Sequence, residues 1–532
     1  MLGGRKTGAI LVAAWLAAGP AGAERVRIAP YLEAQQVLDV PLAGDRDMVT
    51  FTALAAGVDA SVTGRRAEGT ISYRYERRIR WGGGDGAVPG DTHSGLARGS
   101  VALVPDLLTL DAGAIATRTR IDARGGGIDF LGRGDNVASV YGGYIGPSLS
   151  TRVGGLDVMA HYRFGHVRTG DGGAGGGGFA LNRYDRSTTH DVGGSVGMKP
   201  GTLPFGWTLS TGYSREEARP LAQRYENAFA RGEVLVPVAP TLALTAGVGV
   251  EDIRLSQQAV RRTAAGAPVI DARGGYVADQ AAPRVIAYDF NGLFYDAGVV
   301  WRPSRRTTLV ATVGRKYGQF AATGSFVHQI DSRSGFTIGI YNGIDSFGRS
   351  IGNSLVALPT QFSVPRTGLT NRFDGCVFGD RGTGSCFGTA LQSASTSNFR
   401  SRGGNALYST RAGRTTLGLG IGYDERRYLG SVLIANGVSA AHVTDRSVTA
   451  QANAAFAIDE RSGLSSQIFF GWYDSGLPDA GGVTTGGASG TYTRRLTDRL
   501  SGNATVAVYA VGVEEDDTDV SGQLLLGARY QF

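Results

Sequence analysis

The side chains able to do chemistry are few and scattered. Six histidines stand at His93, His161, His166, His190, His328 and His442. His93 beside Ser94 and near Asp91 has the residue types of a hydrolase: a nucleophile, its base and an orienting acid. In an extended chain, neighbouring side chains point to opposite faces, so His93 and Ser94 would pair poorly. His161 shares a strand face with Arg163, where a packed or solvated histidine needs no reaction to explain it. HExxH, Walker-type and CxxC spacings do not occur in the sequence. The expectation is a protein that is not an enzyme, with no catalytic residue, no metal site and no cofactor. A hydrolase is kept as a rival, to be tested at His93 or His161.

Arginines carry more information. Arg74, Arg78, Arg80, Arg98 and Arg163 fall on the polar rows of alternating segments, with Glu76 and Asp157 among them. Such a ladder either pairs internally and stiffens a wall, or lines a passage for an anion or polyanion. Arg118 and Arg120 instead continue an apolar row, Leu108, Leu110, Ala112, Ala114 and Ala116. There they serve either as a solvated rim or as partners of lipid phosphates. Cys376 and Cys386, ten positions apart in a Gly-rich stretch, predict a loop-closing disulfide.

The elements that position these residues are strands. Ile71, Tyr73, Tyr75, Ile79 and Trp81 interleave with Ser72, Arg74, Glu76, Arg78 and Arg80, and Arg77 is the one break in the apolar row. Leu156, Val158, Ala160, Tyr162 and Phe164 alternate with Asp157, Met159, His161 and Arg163. Leu417, Leu419, Ile421 and Tyr423 enclose Gly418, Gly420 and Gly422. Period-two alternation sends one row to lipid and the other to a lumen. Short links near 63–66, 105–106, 153–155, 200–204, 239–240, 303–306, 332–335, 412–414, 460–463 and 497–499 alternate with long ones at 82–92, 122–135, 168–184, 255–283, 346–397, 429–440 and 475–482. Short periplasmic turns and long outer loops are the habit of bacterial barrels. The predicted fold is all-β: a single antiparallel transmembrane β-barrel of about 22 strands, within 18–24. With about 9–11 residues spanning per strand, the ladder would use less than half of the chain. Trp81, Trp301, Tyr423 and Trp472 are placed as an interfacial girdle.

Bulk properties agree. The 532 residues are 42% hydrophobic with 83 Gly, and mean hydropathy is −0.07. After the first segment no run reaches the roughly 18 apolar residues of a spanning helix. Arg5 and Lys6, the apolar run Ala9 to Ala18 and Ala21-Gly22-Ala23 read as a signal peptide over 1–23, leaving 24–532 as the barrel. The net charge of +7 is spread through strand patterns rather than gathered in a reading motif, so nucleic acid is not an expected partner. Strands begin by about residue 26 with no plug domain ahead of them, which weighs against an energy-coupled siderophore receptor. Loops 168–184 and 346–397 are long enough to fold inward, and Gly175–Gly178 favours mobility in the first. Leu524, Leu526, Ala528, Tyr530 and the terminal Phe532 alternate as a closing strand. They resemble the signal by which barrel-assembly machinery recognises its clients.

Gly298-Val-Val-Trp301-Arg-Pro303-Ser-Arg305-Arg-Thr307-Thr-Leu309, followed by Gly314-Arg315-Lys-Tyr317-Gly318, resembles outer-membrane barrels associated with PEP-CTERM/exosortase and exopolysaccharide systems. Thr493-Arg-Arg-Leu-Thr-Asp-Arg-Leu500 and Ala528-Arg-Tyr-Gln-Phe532 are similar to the same family. Ile28-Ala-Pro-Tyr-Leu-Glu33 and Arg74-Tyr-Glu-Arg-Arg78 look like its sphingomonad-type members. Some of these are labelled preprotein-translocase subunits, a label nothing in the sequence supports. The resemblance implies a bacterial outer-membrane location and a role in surface-polymer or protein export, and it supplies no catalytic residue. Expected partners are outer-membrane lipid and lipopolysaccharide, the assembly machinery, and a polysaccharide or anionic solute. A general diffusion porin is the other rival.

Overall fold

A computed structural model describes the chain except residues 1–22, 45–46, 82–89, 122–136, 171–183, 272–274, 365–374, 380–383, 389, 395–396, 430, 434–438, 442, 477–480 and 515–516. Nearly all of the predicted signal segment, the Gly175–Gly178 run and His442 lie outside the described residues.

The wall is one sheet of 22 strands. Its first half comprises β1 (Ala23–Ala43), β2 (Val49–Gly64), β3 (Ala67–Trp81), β4 (Asp91–Val104), β5 (Leu108–Arg120), β6 (Val137–Val153), β7 (Leu156–Thr169), β8 (Arg186–Met198), β9 (Gly206–Arg219), β10 (Gln223–Ala239) and β11 (Leu242–Gln257). The second half runs through β12 (Val285–Ser304), β13 (Thr307–Lys316), β14 (Gln319–Gln329), β15 (Ser334–Asp345), β16 (Phe399–Ala412), β17 (Thr415–Tyr428), β18 (Thr444–Ala457), β19 (Ser462–Asp474), β20 (Val483–Arg495), β21 (Leu500–Val513) and β22 (Asp519–Gln531). Each strand pairs antiparallel with its chain neighbours, and β1 pairs with β22, Tyr31 opposite Gln531 and Leu38 opposite Leu524. That last ladder closes the barrel and leaves no free edge.

The alternation reads as predicted. Leu524 and Leu526 face outward at 51% and 67% exposure, whereas Leu525 between them is buried inside with Val37, Val49 and Phe51. Tyr530 and Phe532 also face out. All ten predicted short links are turns at one end of the barrel. Several use a polar side chain as the turn's internal acceptor. In the motif around Trp301, Ser304 Oγ accepts the Arg306 N–H at 3.2 Å. Asp331 and Asp459 accept the N–H two residues on, from Arg333 and Arg461. The Arg333 N–H for Asp331, and the Ser462 hydroxyl ahead of the Arg461 N–H for Asp459, hold both exposed carboxyls below the usual carboxylate range.

The strand lengths correct one expectation. Strands run from 10 to 21 residues, and together they take more than half of the chain. Above the apolar belt the ladders continue in charged residues. On β10, Val238, Val236 and Val234 face lipid, followed upward by Glu226 and Arg224 on the same row. Paired backbone needs no lipid around it, so the wall projects beyond the bilayer at the long-loop end.

Candidate functional site: an occupied lumen

The connection between β15 and β16 turns inward. Ser346 caps the helix α1 (Phe347–Val356), accepting the Arg349 N–H at 3.1 Å. Phe347, Ile351 and Leu355, spaced four apart on one face, bury against Leu96, Ile115, Val140, Tyr144 and Val167 of β4–β7. The helix is tied by a buried polar knot. Arg349 reaches Glu216 of β9 at 2.9 Å and Asn398 at 3.1 Å, and lies 3.6 Å over the ring of Tyr225. Ser346 Oγ donates to the same Glu216 carboxylate at 2.6 Å.

Beyond α1 the chain descends through the lumen. Thr70 donates to the Thr360 carbonyl at 2.9 Å, and Gln361 donates to the Val62 carbonyl at 2.8 Å, close to the β2–β3 turn. Three short strands follow, Phe362–Ser363, Cys376–Gly379 and Gly384–Cys386. Cys376 and Cys386 stand opposite each other there and are joined by the predicted disulfide. This hairpin lies on the far wall. Phe378 covers Gly418 and the disulfide covers Gly420, while the Cys376 N–H reaches Gln451 at 2.9 Å. The segment returns through Phe387, Ala390 and Leu391 to the α1 cluster. Thr119 donates to the Leu391 carbonyl there.

The arginines expected on the inner wall are inside. Arg74 is 2% exposed, bonded to Glu33 at 2.8 Å and to Glu76 at 2.9 Å, and Glu76 takes Arg78 at 2.7 Å. Arg78 also lies 5.3 Å over Phe51, and Arg80 is half-buried on the same row. Arg98 pairs with Asp111 at 3.0 Å, and Arg163 lies 3.8 Å from Asp191. Both guanidinia approach the Tyr144 ring. Of the two readings of this ladder, internal pairing accounts for Arg74, Arg78 and Arg98. Arg118 and Arg120 end β5 at the long-loop rim, half-buried, and border the space beside Leu391 and Gln392.

The hydrolase constellation does not assemble at its two predicted positions. His93 faces outward, with its Nδ1 2.7 Å from the Tyr73 hydroxyl, whereas Ser94 is buried inside. His161 Nε2 meets Asp191 at 3.0 Å, but Ser214 donates to that same aspartate at 2.5 Å rather than to the imidazole. The base and the hydroxyl thus share an acid instead of a proton.

On the periplasmic side of the hairpin the lumen opens into a cavity of about 690 Å³. Its wall is mainly hydroxyl and amide, Ser409, Asn453, Ser465, Gln467, Thr491 and Asn503 among them, with Glu33, Arg333 and Arg411 also in the lining and Phe362 and Phe378 of the inner segment as its floor. Arg529 borders it, paired with Asp59 at 3.0 Å and stacked 3.5 Å over Tyr31.

Sequence reasoning missed the anchors Glu33, Asp191, Glu216, Arg349 and Tyr225. Each is a single polar or aromatic residue whose partner comes from another strand or segment, so spacing along its own strand carries no trace of it. The Gly418–Gly420 pair was visible as strand glycine, and its meaning as a seat for the hairpin was not.

A closed antiparallel wall with an apolar outer belt, charged extensions and short turns at one end is an outer-membrane β-barrel. No protein family model and no curated protein matches the sequence. Solved structures similar in fold include the FrpB iron transporter from Neisseria meningitidis, at 12% identity over 95% of this chain and 81% of that one, TM-score 0.43. The ferric-catecholate import receptor Fiu from E. coli K12 matches at 9% over 94% and 81%, TM-score 0.44. The alcaligin outer-membrane receptor FauA from Bordetella pertussis matches at 12% over 94% and 76%, TM-score 0.37. At these identities the likeness is one of fold.

Proposed function

We propose that the chain is a self-plugged outer-membrane channel serving the export of a hydrophilic surface polymer, with exopolysaccharide as the class that best fits its inner wall. The observation carrying this reading is the lumen itself. The described residues of 346–398 reach from the β4–β9 side to β17–β18, and below them lies an open vestibule lined mainly by hydroxyls and amides. Such groups exchange hydrogen bonds with sugar hydroxyls at little net cost, so a polymer can bind in many registers and still move. Of the charges that border it, Glu33 is paired with Arg74 and Arg529 with Asp59.

Planar-bilayer conductance tests this directly. The refolded barrel should conduct weakly, and a variant with 346–398 replaced by a short Gly-Ser bridge should open in large uniform steps. Neutral oligosaccharides added on the vestibule side should then block the current transiently. Equal conductance with and without the segment would remove the plug. A large open current that sugars never block would leave a channel and remove the saccharide.

A further inference from the structure

Outside the barrel, at the long-loop end, three arginines stand in a row. Arg168 of β7 is directly opposite Arg186 of β8, and Arg186 is directly opposite Arg219 of β9. All three are exposed on the outward face. Like charges directly opposite in a ladder are destabilising, so nothing in the strand pairing itself favours this register. Among the described residues, nearby acids offset it only in part. Asp185 comes only within 3.9 Å of Arg186, and Glu217 is already engaged by Arg215 and Arg224. Tyr141, opposite Arg168 on β6, carries that guanidinium 5.4 Å above its ring. The stacking orients the charge.

Lower on the same strands the lipid-facing wall is dented. Gly194, Thr211 and Gly232 leave a trough of about 580 Å³ between Leu209, Val248 and Val250. Arg186 and Gly194 lie eight residues apart on β8, roughly 26 Å along the strand at about 3.3 Å per residue. That separation suits a molecule with an anionic head at the rim and a fatty chain in the trough.

The geometry points to a binding site for lipid A, the phosphorylated glycolipid anchor of lipopolysaccharide, on the β7–β10 face. A phosphate sits across Arg168, Arg186 and Arg219, where guanidinium forks match its oxygens, and an acyl chain fills the trough. The lipid relieves the repulsion that the strand register imposes.

The test uses the refolded full barrel in detergent, with bis-phosphorylated lipid A, dephosphorylated lipid A and inorganic phosphate as probes, read by native mass spectrometry. Lipid A should bind, and R168Q/R186Q/R219Q should weaken it at least tenfold. A gel shift between heated and unheated samples confirms that the variant is folded. R254Q, at the same rim on β11, should bind as the wild type does. Dephosphorylated lipid A should bind the wild type no better than lipid A binds the triple variant. G232F, whose new side chain has room at the backbone, should weaken lipid A through the trough alone. Undiminished binding by the triple variant, or by lipid without phosphate, would overturn the site. Displacement of lipid A by equimolar inorganic phosphate would reduce it to an anion patch.

Discussion

Gly420 lies so close beneath Cys376 that a Cβ on it would stand 2.5 Å from the Sγ atom. Gly418 and Gly420 of β17 are therefore a contact surface for the inner hairpin, and the strand accepts their weaker intrinsic preference because the Phe378 ring and the disulfide must approach there.

Gly420→Val should consequently lift the hairpin off the wall while leaving the barrel closed. The expected result is a several-fold rise in single-channel conductance and faster alkylation of the two cysteines after mild reduction. A variant with unchanged current and unchanged cysteine reactivity would mean that the hairpin is not seated on this strand.

Arg349→Ala leaves Glu216 buried without its cation, a change that typically costs roughly 3–5 kcal/mol. Here the loss falls on the docking of α1. Limited proteolysis should cut within 346–398 where the wild type resists. The double variant R349M/E216Q should recover much of the protection, because neither charge is then stranded. Protection no better in the double variant than in R349A alone would show that the pair is not the anchor.

For Arg74 the pairing with Glu33 and Glu76 decides the outcome. Arg74→Ala should lower stability to urea by roughly 3–5 kcal/mol, since the buried Glu33 loses its cation and Glu76 is left with Arg78 alone. Ion selectivity should move little, because the guanidinium is not presented to the lumen. A stable variant with shifted selectivity would restore the alternative in which this row lines the passage.

Asp459 supplies a pH test. Its carboxyl is held below the usual range by the side-chain hydroxyl of Ser462 and the N–H groups of Arg461 and Ser462. A lowered folded-state value gives stability that is present above the unfolded value, about 3.9, and is lost as pH falls through the folded one. Asp459→Ala should therefore unfold at lower urea than wild type at pH 7, with the difference closing toward pH 3. A gap that persists at low pH would assign the turn's stability to something other than the ionised carboxylate.

Much of the barrel was legible because its physics is local. Alternation, turn residues and a closing strand such as Leu524 to Phe532 each fix a face or a reversal within a few positions, and the sheet follows by pairing neighbours. The strands' reach beyond the bilayer was less legible, because a charged residue such as Arg224 reads equally as a loop or as a paired extension. The site was least legible. Glu216 meets Arg349 across 133 positions, and Thr70 meets Thr360 across 290. Only a closed cylinder brings such residues together.

That closure has a bearing on how the molecule is made. The two feet of the inner segment, Asp345 and Phe399, are themselves opposite one another on β15 and β16, so the plug is a doubled strand of chain let down from a single point on the rim. Its resting places belong to β2–β3, β4–β9 and β17–β18, and none of these surrounds it until the last ladder joins the first. The segment must therefore wait outside, or unsettled within, until the seam zips, and its arrival marks the moment at which assembly is finished. A nascent barrel would be leaky for as long as it was incomplete, and would seal itself only at the end.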